Sequence, residues 1–431
     1  HLLGIGHLKR AGLLVDAMAA AGLEVHVVAG GVMTHPDWFH GGVLHQLPAL
    51  QAGPGNDFTN LVDDQGQPAT PAHDAERKRL LTALAHKISP ACVVIEHYPF
   101  GRRRFRHELA PLLKLWADRV PVLSSVRDIL VVGSDGGADA ARSEQTEKAA
   151  RKAAWMVGEV NDRFAGVLVH ADPHVITLAE TFTPASQLAP PLLYTGYVTQ
   201  APAALPASPA DRDLIVVAAG GGAVGGALMR TALHVALRPA CGDRAAGSER
   251  WLLLTGPNLP RAERDALAAM VSAEVTGSGR HADIRLEPAR DDYPSLLRAA
   301  RASISQGGYN TMMDLLAAGT PAVLVPFEAK GETEQRLRCD RFARTHPSWQ
   351  IVPENALDQA ALSQALAHAL AHGGDRQPET TAVPAAASTQ VDTDGARRSA
   401  ALVTHACALR DQAPANLTYW RQALADSGIG L

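Results

Sequence analysis

Short β-branched runs alternate along this chain with longer stretches whose apolar residues recur every three or four positions, a rhythm that predicts a parallel α/β architecture. In the first half, residues 8–21 read as a helix closed by Gly22, followed by a strand over 23–28. Further strands are predicted over 92–96, 120–125 and 165–170, with helices over 107–117 and 144–160 and a last strand near 192–196. Residues 201–210, Ala-Pro-Ala-Ala-Leu-Pro-Ala-Ser-Pro-Ala, read as a linker, because proline at this density fits neither strand nor helix. A second α/β series follows, with strands over 214–218, 251–255, 283–286, 302–305 and 322–326 and a helix over 332–344. Residues 373–396 hold few large apolar groups and read as a flexible excursion, after which 397–410 and 417–425 look helical.

The domain plan that follows has an N-terminal Rossmann-like α/β domain over 1–197, a linker over 198–212 and a second α/β domain over 213–372. The excursion takes 373–396, and the helices of 397–431 are expected to pack back towards the N-terminal domain. At 431 residues the chain exceeds one ordinary core, which supports two domains. Forty basic against 44 acidic residues leave a formal charge of −4, which argues against a nucleic-acid partner. Cys92, Cys241, Cys339 and Cys407 lack metal-ligand spacing, as do the 18 histidines, so reduced thiols in a cytoplasm are expected, with no metal and no cofactor. The apolar run over 214–229 carries five glycines and reads as strand, turn and helix rather than a membrane span. The chain opens at His1 almost on a glycine turn; a first strand lost upstream is expected, and no targeting segment is seen.

The densest chemical signal is Ser305-Gln306-Gly307-Gly308-Tyr309-Asn310-Thr311-Met312-Met313-Asp314, placed where a strand ends, a glycine pair turns and a helix begins that stops at Gly319. Bare amides at a helix N-terminus reached through glycines make an anion site. Asp314, expected in the first turn, adds a partner for hydroxyls, so a nucleotide sugar is the indicated ligand; alone, such an acid only stabilises its helix. Glu334 and Gln335 open the next helix and in isolation read as a solvated face. Gly220-Gly221-Gly222-Ala223-Val224-Gly225 fits a dinucleotide fingerprint, yet the next strand ends Thr-Gly-Pro-Asn with no carboxylate for a ribose. Gly221 and Gly222 then either approach a diphosphate or allow close strand–helix packing.

In the first half, Gly4-Ile5-Gly6-His7-Leu8-Lys9-Arg10 turns tightly into a helix, with Gly6 and Arg10 beside His7 at the mouth of the sheet. A neutral imidazole there suits a general base, and a helix cap is the plainer alternative. Glu96 and His97, Arg127 and Asp128, and His170 with Asp172 end three predicted strands, which would turn them to one cleft; Asp172 before Pro173 also reads as a helix cap. The run Arg102-Arg103-Arg104-Phe105-Arg106 suits an acceptor phosphate, anionic lipid or simply water. Beside it the 107–117 helix has an apolar stripe, core-facing or, together with the arginines, docking peripherally on a membrane.

Taken together, these residues resemble glycosyltransferases of the two-Rossmann-domain GT-B type. The segment 305–335 is similar to the family-28 C-terminal domain shared with the peptidoglycan lipid-linked N-acetylglucosaminyltransferase, through Gly308 to Thr311, Asp314, Ala318-Gly319-Thr320-Pro321, Val325-Pro326 and Glu334-Gln335. The whole chain also resembles bacterial predicted glycosyltransferases of unassigned substrate, through 4–10, 96–102 and 170–173. The resemblance implies two Rossmann-like parallel-sheet domains facing across a cleft, and inverting, metal-independent hexosyl transfer from a nucleotide sugar, UDP-linked, to a hydroxyl acceptor. That acceptor is a sugar, a lipid-linked sugar or a small molecule, met in the cytoplasm or at the inner face of the membrane. It implies diphosphate binding by the amides around Gly308 to Thr311, ribose binding by Asp314, sugar binding by Glu334 and Gln335, and His7 near the reacting centre. Two departures stand out: Asp314 replaces the peptidoglycan enzyme's usual Glu, and Gly-Ile-Gly-His replaces Gly-x-Gly-Gly-His, closer to amino-sugar nucleotide hydrolases. A hydrolase or epimerase using the same donor site is the second reading, and a non-catalytic nucleotide-sugar sensor the third.

Overall fold

The computed structural model describes residues 6–53, 57–116, 119–130, 139–200, 213–220, 225–237, 250–256, 258–277, 283–328, 332–373, 391–413 and 415–430. The chain forms two compact units, one of His1–Thr199 with Val391–Leu431 and one of Gln200–Gln390. The 201–210 stretch, residues 374–390 of the predicted excursion, and Gly221 with Gly222 lie outside the described residues.

The first unit begins with helix α1 (Gly6–Ala20), which buries Leu8, Leu14, Val15 and Met18 and ends before Gly22, whose φ of +86° turns the chain out. Strand β1 (His26–Ala29) pairs in parallel with β2 (Val43–Gln46), and β3 (Gln51–Gly53) pairs antiparallel with β4 (Asp57–Val62). Helix α2 (Pro71–Ile88) starts from Thr70, whose side chain accepts from the His73 amide. The series then runs β5 (Val93–Glu96), α3 (Arg106–Trp116), β6 (Val122–Arg127), α4 (Asp139–Arg163), β7 (Gly166–His170), α5 (Leu178–Thr181) and β8 (Leu192–Tyr194). The four strands lie side by side in that order, all parallel. Val122, Leu123, Val126, Val167, Leu168 and Val169 are wholly buried, which explains why β7 reads as an apolar run and β6 as one interrupted by Ser124 and Ser125.

The second unit runs β9 (Leu214–Ala218), α6 (Gly226–Ala236), β10 (Arg250–Thr255), α7 (Arg261–Gly277), β11 (Asp283–Pro288), α8 (Tyr293–Ala299), β12 (Ala302–Ser305), α9 (Tyr309–Ala318), β13 (Ala322–Leu324), α10 (Glu334–Ala343), β14 (Trp349–Ile351) and α11 (Gln359–His372). Its six parallel strands take the spatial order β11-β10-β9-β12-β13-β14. Chain order reverses between β9 and β12, the place where open α/β sheets leave a crevice at their carboxyl ends.

Helices α12 (Gly395–Gln412) and α13 (Leu417–Ala425) complete the first unit. Ala400, Val403, Ala406 and Trp420 share a core with Leu14 and Met18 of α1, and Arg421 donates to the carbonyls of Phe164 (2.9 Å) and Asn161 (2.6 Å) at the end of α4. The pattern missed β2, β3, β4, α2, α5, β14 and α11. The strands are short; α2 fully buries only Arg77 and Ala85, but Leu80, Leu81, Leu84 and Ile88 recur at helical spacing and lie half-buried, a stripe that was there to read. On α3 the predicted stripe faces the core, with Leu112 and Leu113 buried. Among the described residues no helix is long and apolar enough to cross a membrane.

Candidate active site

In the second unit, the order reversal sets the carboxyl ends of β9 and β12 side by side, and the Gln306 amide donates to Ala218 O at 3.2 Å. Gly220 follows β9 with φ +69°, a conformation that glycine adopts freely. A Cβ added there would lie 3.8 Å from Gln306 Oε1, so the two glycine turns adjoin. Gly308 is the N-cap of α9 and brings no capping side chain; a Cβ built on it meets nothing within 4 Å. The first turn of α9, which holds the amides of Tyr309, Asn310 and Thr311, is thus entered through a residue with no side chain, at the positive end of the helix dipole.

Gly307 is needed for packing, since a Cβ there would collide with Cys339 Sγ on α10. Arg338, also on α10 and buried, draws the site together. It pairs with Glu334 (Nη2 to Oε1 2.8 Å), donates to Gly307 O (3.3 Å) and lies over the Tyr309 ring, 5.5 Å from its centroid. Gln335 Oε1 accepts from the Phe327 amide at 3.0 Å, which fixes the chain after β13. Gln306, Gly307, Gly308, Tyr309, Glu334 and Gln335 are therefore brought together.

Asp314 is a correction. Helix α9 starts at Tyr309 and has no acid in its first turn, so Asp314 stands in the second turn, only 4% exposed. Its charge is felt by Tyr293: burial, opposed by a hydrogen bond from Ser305 and helped by Asp314, raises that hydroxyl's pKa. The helix-end argument for Asp314 fails, because the dipole effect fades beyond the first turn.

In the first unit, His7 lies one residue into α1 and its Nδ1 is 2.8 Å from Glu96 Oε1 at the end of β5. Arg10 Nη2, a donor, lies 3.3 Å from the same Nδ1, but the carboxylate is nearer and only accepts, so Nδ1 carries the proton and Nε2 keeps its lone pair. Arg10, one helical turn on and 1% exposed, pairs with the same Glu96 oxygen. Burial pushes the Glu96 pKa up, but Arg10 and the bond from His7 outweigh it and hold the carboxylate well below its ordinary range. Burial, with help from Arg102 and Arg127, lowers His7 to about 3 against the pull of Glu96. Side-chain exposures of 23% for His7 and 24% for Glu96 leave the pair within reach of a ligand, unlike Arg10.

His97 sits beside this pair, its ring 5.9 Å from that of His7, and burial with the charge of Arg127 lowers its pKa to about 4. It holds a φ of +63°, costly for a residue with a side chain, and Gly101 lies so close that a Cβ there would strike the imidazole. Behind Glu96, Ser125 Oγ donates to Oε2 (2.8 Å), His170 Nε2 meets Ser125 Oγ (2.9 Å), and Thr195 Oγ1 meets His170 Nδ1 (3.0 Å). Gly6, His7, Arg10, Glu96, His97 and Arg127 thus form one neighbourhood.

Asp128 is wholly buried. Asp172 accepts from the His174 amide (2.8 Å) and from the Asp392 amide (2.9 Å), so it clamps the returning C-terminal segment. The arginine run also diverges: Arg104 pairs with Asp74 (2.9 Å), Arg106 lies over Trp155 (5.2 Å), and Arg102 acts on His7. One trio with metal-ligand proximity, Asp74, His107 and Glu108, occurs among the described residues, but Arg77 and Arg104 already take oxygens of both carboxylates. Sequence reasoning missed Ser125, Thr195 and Arg338; the signal for the first was a serine pair inside an apolar strand.

Residues 252–394 match the glycosyltransferase family 28 C-terminal domain. The matched span includes the glycine turn, α9 and α10. The chain is 31% identical over 111 residues to a UDP-N-acetylglucosamine–N-acetylmuramyl-(pentapeptide) pyrophosphoryl-undecaprenol N-acetylglucosamine transferase of Chromobacterium violaceum, covering 26% of this chain and 31% of that protein. A protein of the same name from Gloeobacter violaceus is 31% identical over 128 residues, covering 30% and 34%. The chain thus spans about a third of the length of these curated relatives. Whole-chain likeness comes from solved structures. The calicheamicin glycosyltransferase CalG4 aligns with TM-score 0.52 at 15% identity, covering 95% of both chains. UGT89C1 of Arabidopsis thaliana aligns with TM-score 0.54 at 10% identity, covering 100% of this chain and 98% of that one. The fold is GT-B, with two Rossmann-like α/β domains.

Proposed function

We propose that the protein is a glycosyltransferase that moves a hexosyl group from a UDP-linked sugar to a hydroxyl acceptor, with inversion and without a metal. The observation that carries this reading is the N-terminus of α9, entered through Gly308 at the chain reversal of the sheet and inside the family-28 match. The donor diphosphate lies against the α9 amides, and Glu334 and Gln335 bind sugar hydroxyls. Support for UDP comes from the curated relatives, which are named for a UDP-N-acetylglucosamine donor.

In the reaction, His7 Nε2 removes the acceptor's hydroxyl proton as its oxygen bonds to the anomeric carbon and the bond to the diphosphate breaks. The leaving group departs as UDP, its charge met by the helix dipole, a preorganised stabilisation that stands in place of a divalent ion. Glu96 holds His7 in the tautomer that presents Nε2 and stabilises the imidazolium that forms. Because the same relatives are named for a pyrophosphoryl-undecaprenol acceptor, a lipid-linked sugar acted on at the inner membrane face stands first among acceptors to test.

The test is UDP release from a panel of UDP-sugars, with and without lipid-linked and soluble acceptors, in buffer with excess chelator. Acceptor-dependent release that survives chelation supports the reading. Equal release without acceptor means a hydrolase, and no release with any donor overturns it.

A further inference from the structure

Glu96, Ser125, His170 and Thr195 form a row of one polar residue per strand across the carboxyl ends of β5, β6, β7 and β8. In register, Glu96 lies opposite Ser125, His170 opposite Arg127 two residues further along the same face as Ser125, and Thr195 follows directly on Tyr194. Ser125 is 1% exposed and His170 and Thr195 are wholly buried, with buried Ser124, Val126 and Val169 beside them. Burying a row of polar groups costs stability unless each is bonded, and an apolar row would pack at less risk.

From Glu96 as far as His170 the hydrogen bonds admit one direction once Glu96 is ionised. Its carboxylate cannot donate, so Ser125 O–H donates to Oε2 (2.8 Å). The Ser125 oxygen must then accept, so His170 carries its proton on Nε2 (2.9 Å). His170 Nδ1 is left with its lone pair, 3.0 Å from Thr195 Oγ1, whose one proton has this nitrogen, Gly196 O (3.0 Å) and Val169 O (3.4 Å) as acceptors. The other oxygen of Glu96 takes the Nδ1 proton of His7 (2.8 Å).

We propose that Ser125, His170 and Thr195 are positioning residues, a buried chain that pins the Glu96 carboxylate in orientation and thereby sets the tautomer of His7. The proposal deepens the reading of His7 as the base and rests on it for its consequence in turnover. Its structural half stands alone. No net proton moves along the chain. Thr195 anchors the far end where the segment after Val391 returns, since Tyr197 N donates to Asp392 O at 2.8 Å and Arg398 pairs with Asp392.

The experiment compares Ser125→Ala and Thr195→Val, near-isosteric changes that each delete one hydroxyl, by nitrogen NMR of the His7 ring and by kcat and KM. In the wild type, His7 is expected as a single Nδ1–H tautomer. In Ser125→Ala the Nε2–H tautomer appears, and kcat drops about ten-fold with donor KM unchanged, the cost of one hydrogen bond to a charged group. Thr195→Val gives the same split, smaller, and Ser125→Cys restores part of the loss. If Ser125→Ala fails to fold, Thr195→Val and Ser125→Cys carry the test. A His7 tautomer and kcat unmoved in the folded variants overturn the proposal. Altered His7 tautomers in a protein that transfers no sugar uphold the chain and reject the transferase reading instead.

Discussion

The Nδ1 atom of His7 lies 2.8 Å from Oε1 of Glu96, joining the start of the first helix to the end of a strand 89 positions later. Arg10 binds the same oxygen, so the carboxylate stays charged and His7 cannot choose its tautomer freely. Replacing Glu96 with Gln keeps the shape and removes the charge. The expected result is a kcat lower by about a hundred-fold or more with little change in donor KM, since only transition-state interactions are lost. Steady-state kinetics with saturating acceptor check this.

Acid should destabilise the first unit through its neutral histidines. His170 is wholly buried and its pKa falls to about 3, chiefly by desolvation, and His7 lies at about 3 as well. Between those values and the ordinary 6.5, the unfolded chain holds protons that the folded one refuses. Stability is then complete above the unfolded value and declines as pH falls below it, by about 1.4 kcal/mol per pH unit for a fully shifted histidine. Urea midpoints from pH 7 to pH 5 should drop for the wild type and drop less for His170→Asn.

The two glycines of the turn before α9 should behave differently. Gly307→Ala drives a Cβ into Cys339 Sγ and is expected to cost about 1–3 kcal/mol by overpacking. Gly308→Ala meets open space at an ordinary φ of −65°, so the fold should stand. Thermal unfolding of both variants checks the contrast.

His97 holds a left-handed backbone that glycine would adopt without strain. His97→Gly should therefore raise stability by about 1 kcal/mol and lower turnover, because the ring beside His7 is lost. Denaturation and kinetics on the same sample separate the two effects.

The parts of this fold that were legible in sequence are those whose side chains obey a period. Leu214–Ala218, Ala302–Ser305 and Leu417–Ala425 appear where the apolar pattern puts them, as wholly or partly buried elements. Helix α2 was legible from Leu80, Leu84 and Ile88, which recur at helical spacing and lie half-buried, whereas its inward Arg77, bonding Glu108 at 2.7 Å, was not. The glycine turn and His7 were readable because glycine and histidine have specific physical uses. The His7–Glu96 pair was not, since nothing local couples two positions so far apart. Asp314 was misplaced by the helix start, a boundary decided by the unpatterned turn at Gly308.

The account rests most heavily on a diphosphate seated at the start of α9, and calorimetric titration of a UDP-sugar panel into the wild type and Gly308→Val tests it directly. The side chain added in that variant points into open space, so the fold should persist while the seat is filled. The account predicts that at least one UDP-sugar binds the wild type and that the variant binds it about ten-fold or more weakly. Equal affinity in both proteins, or no binding by either, would contradict it.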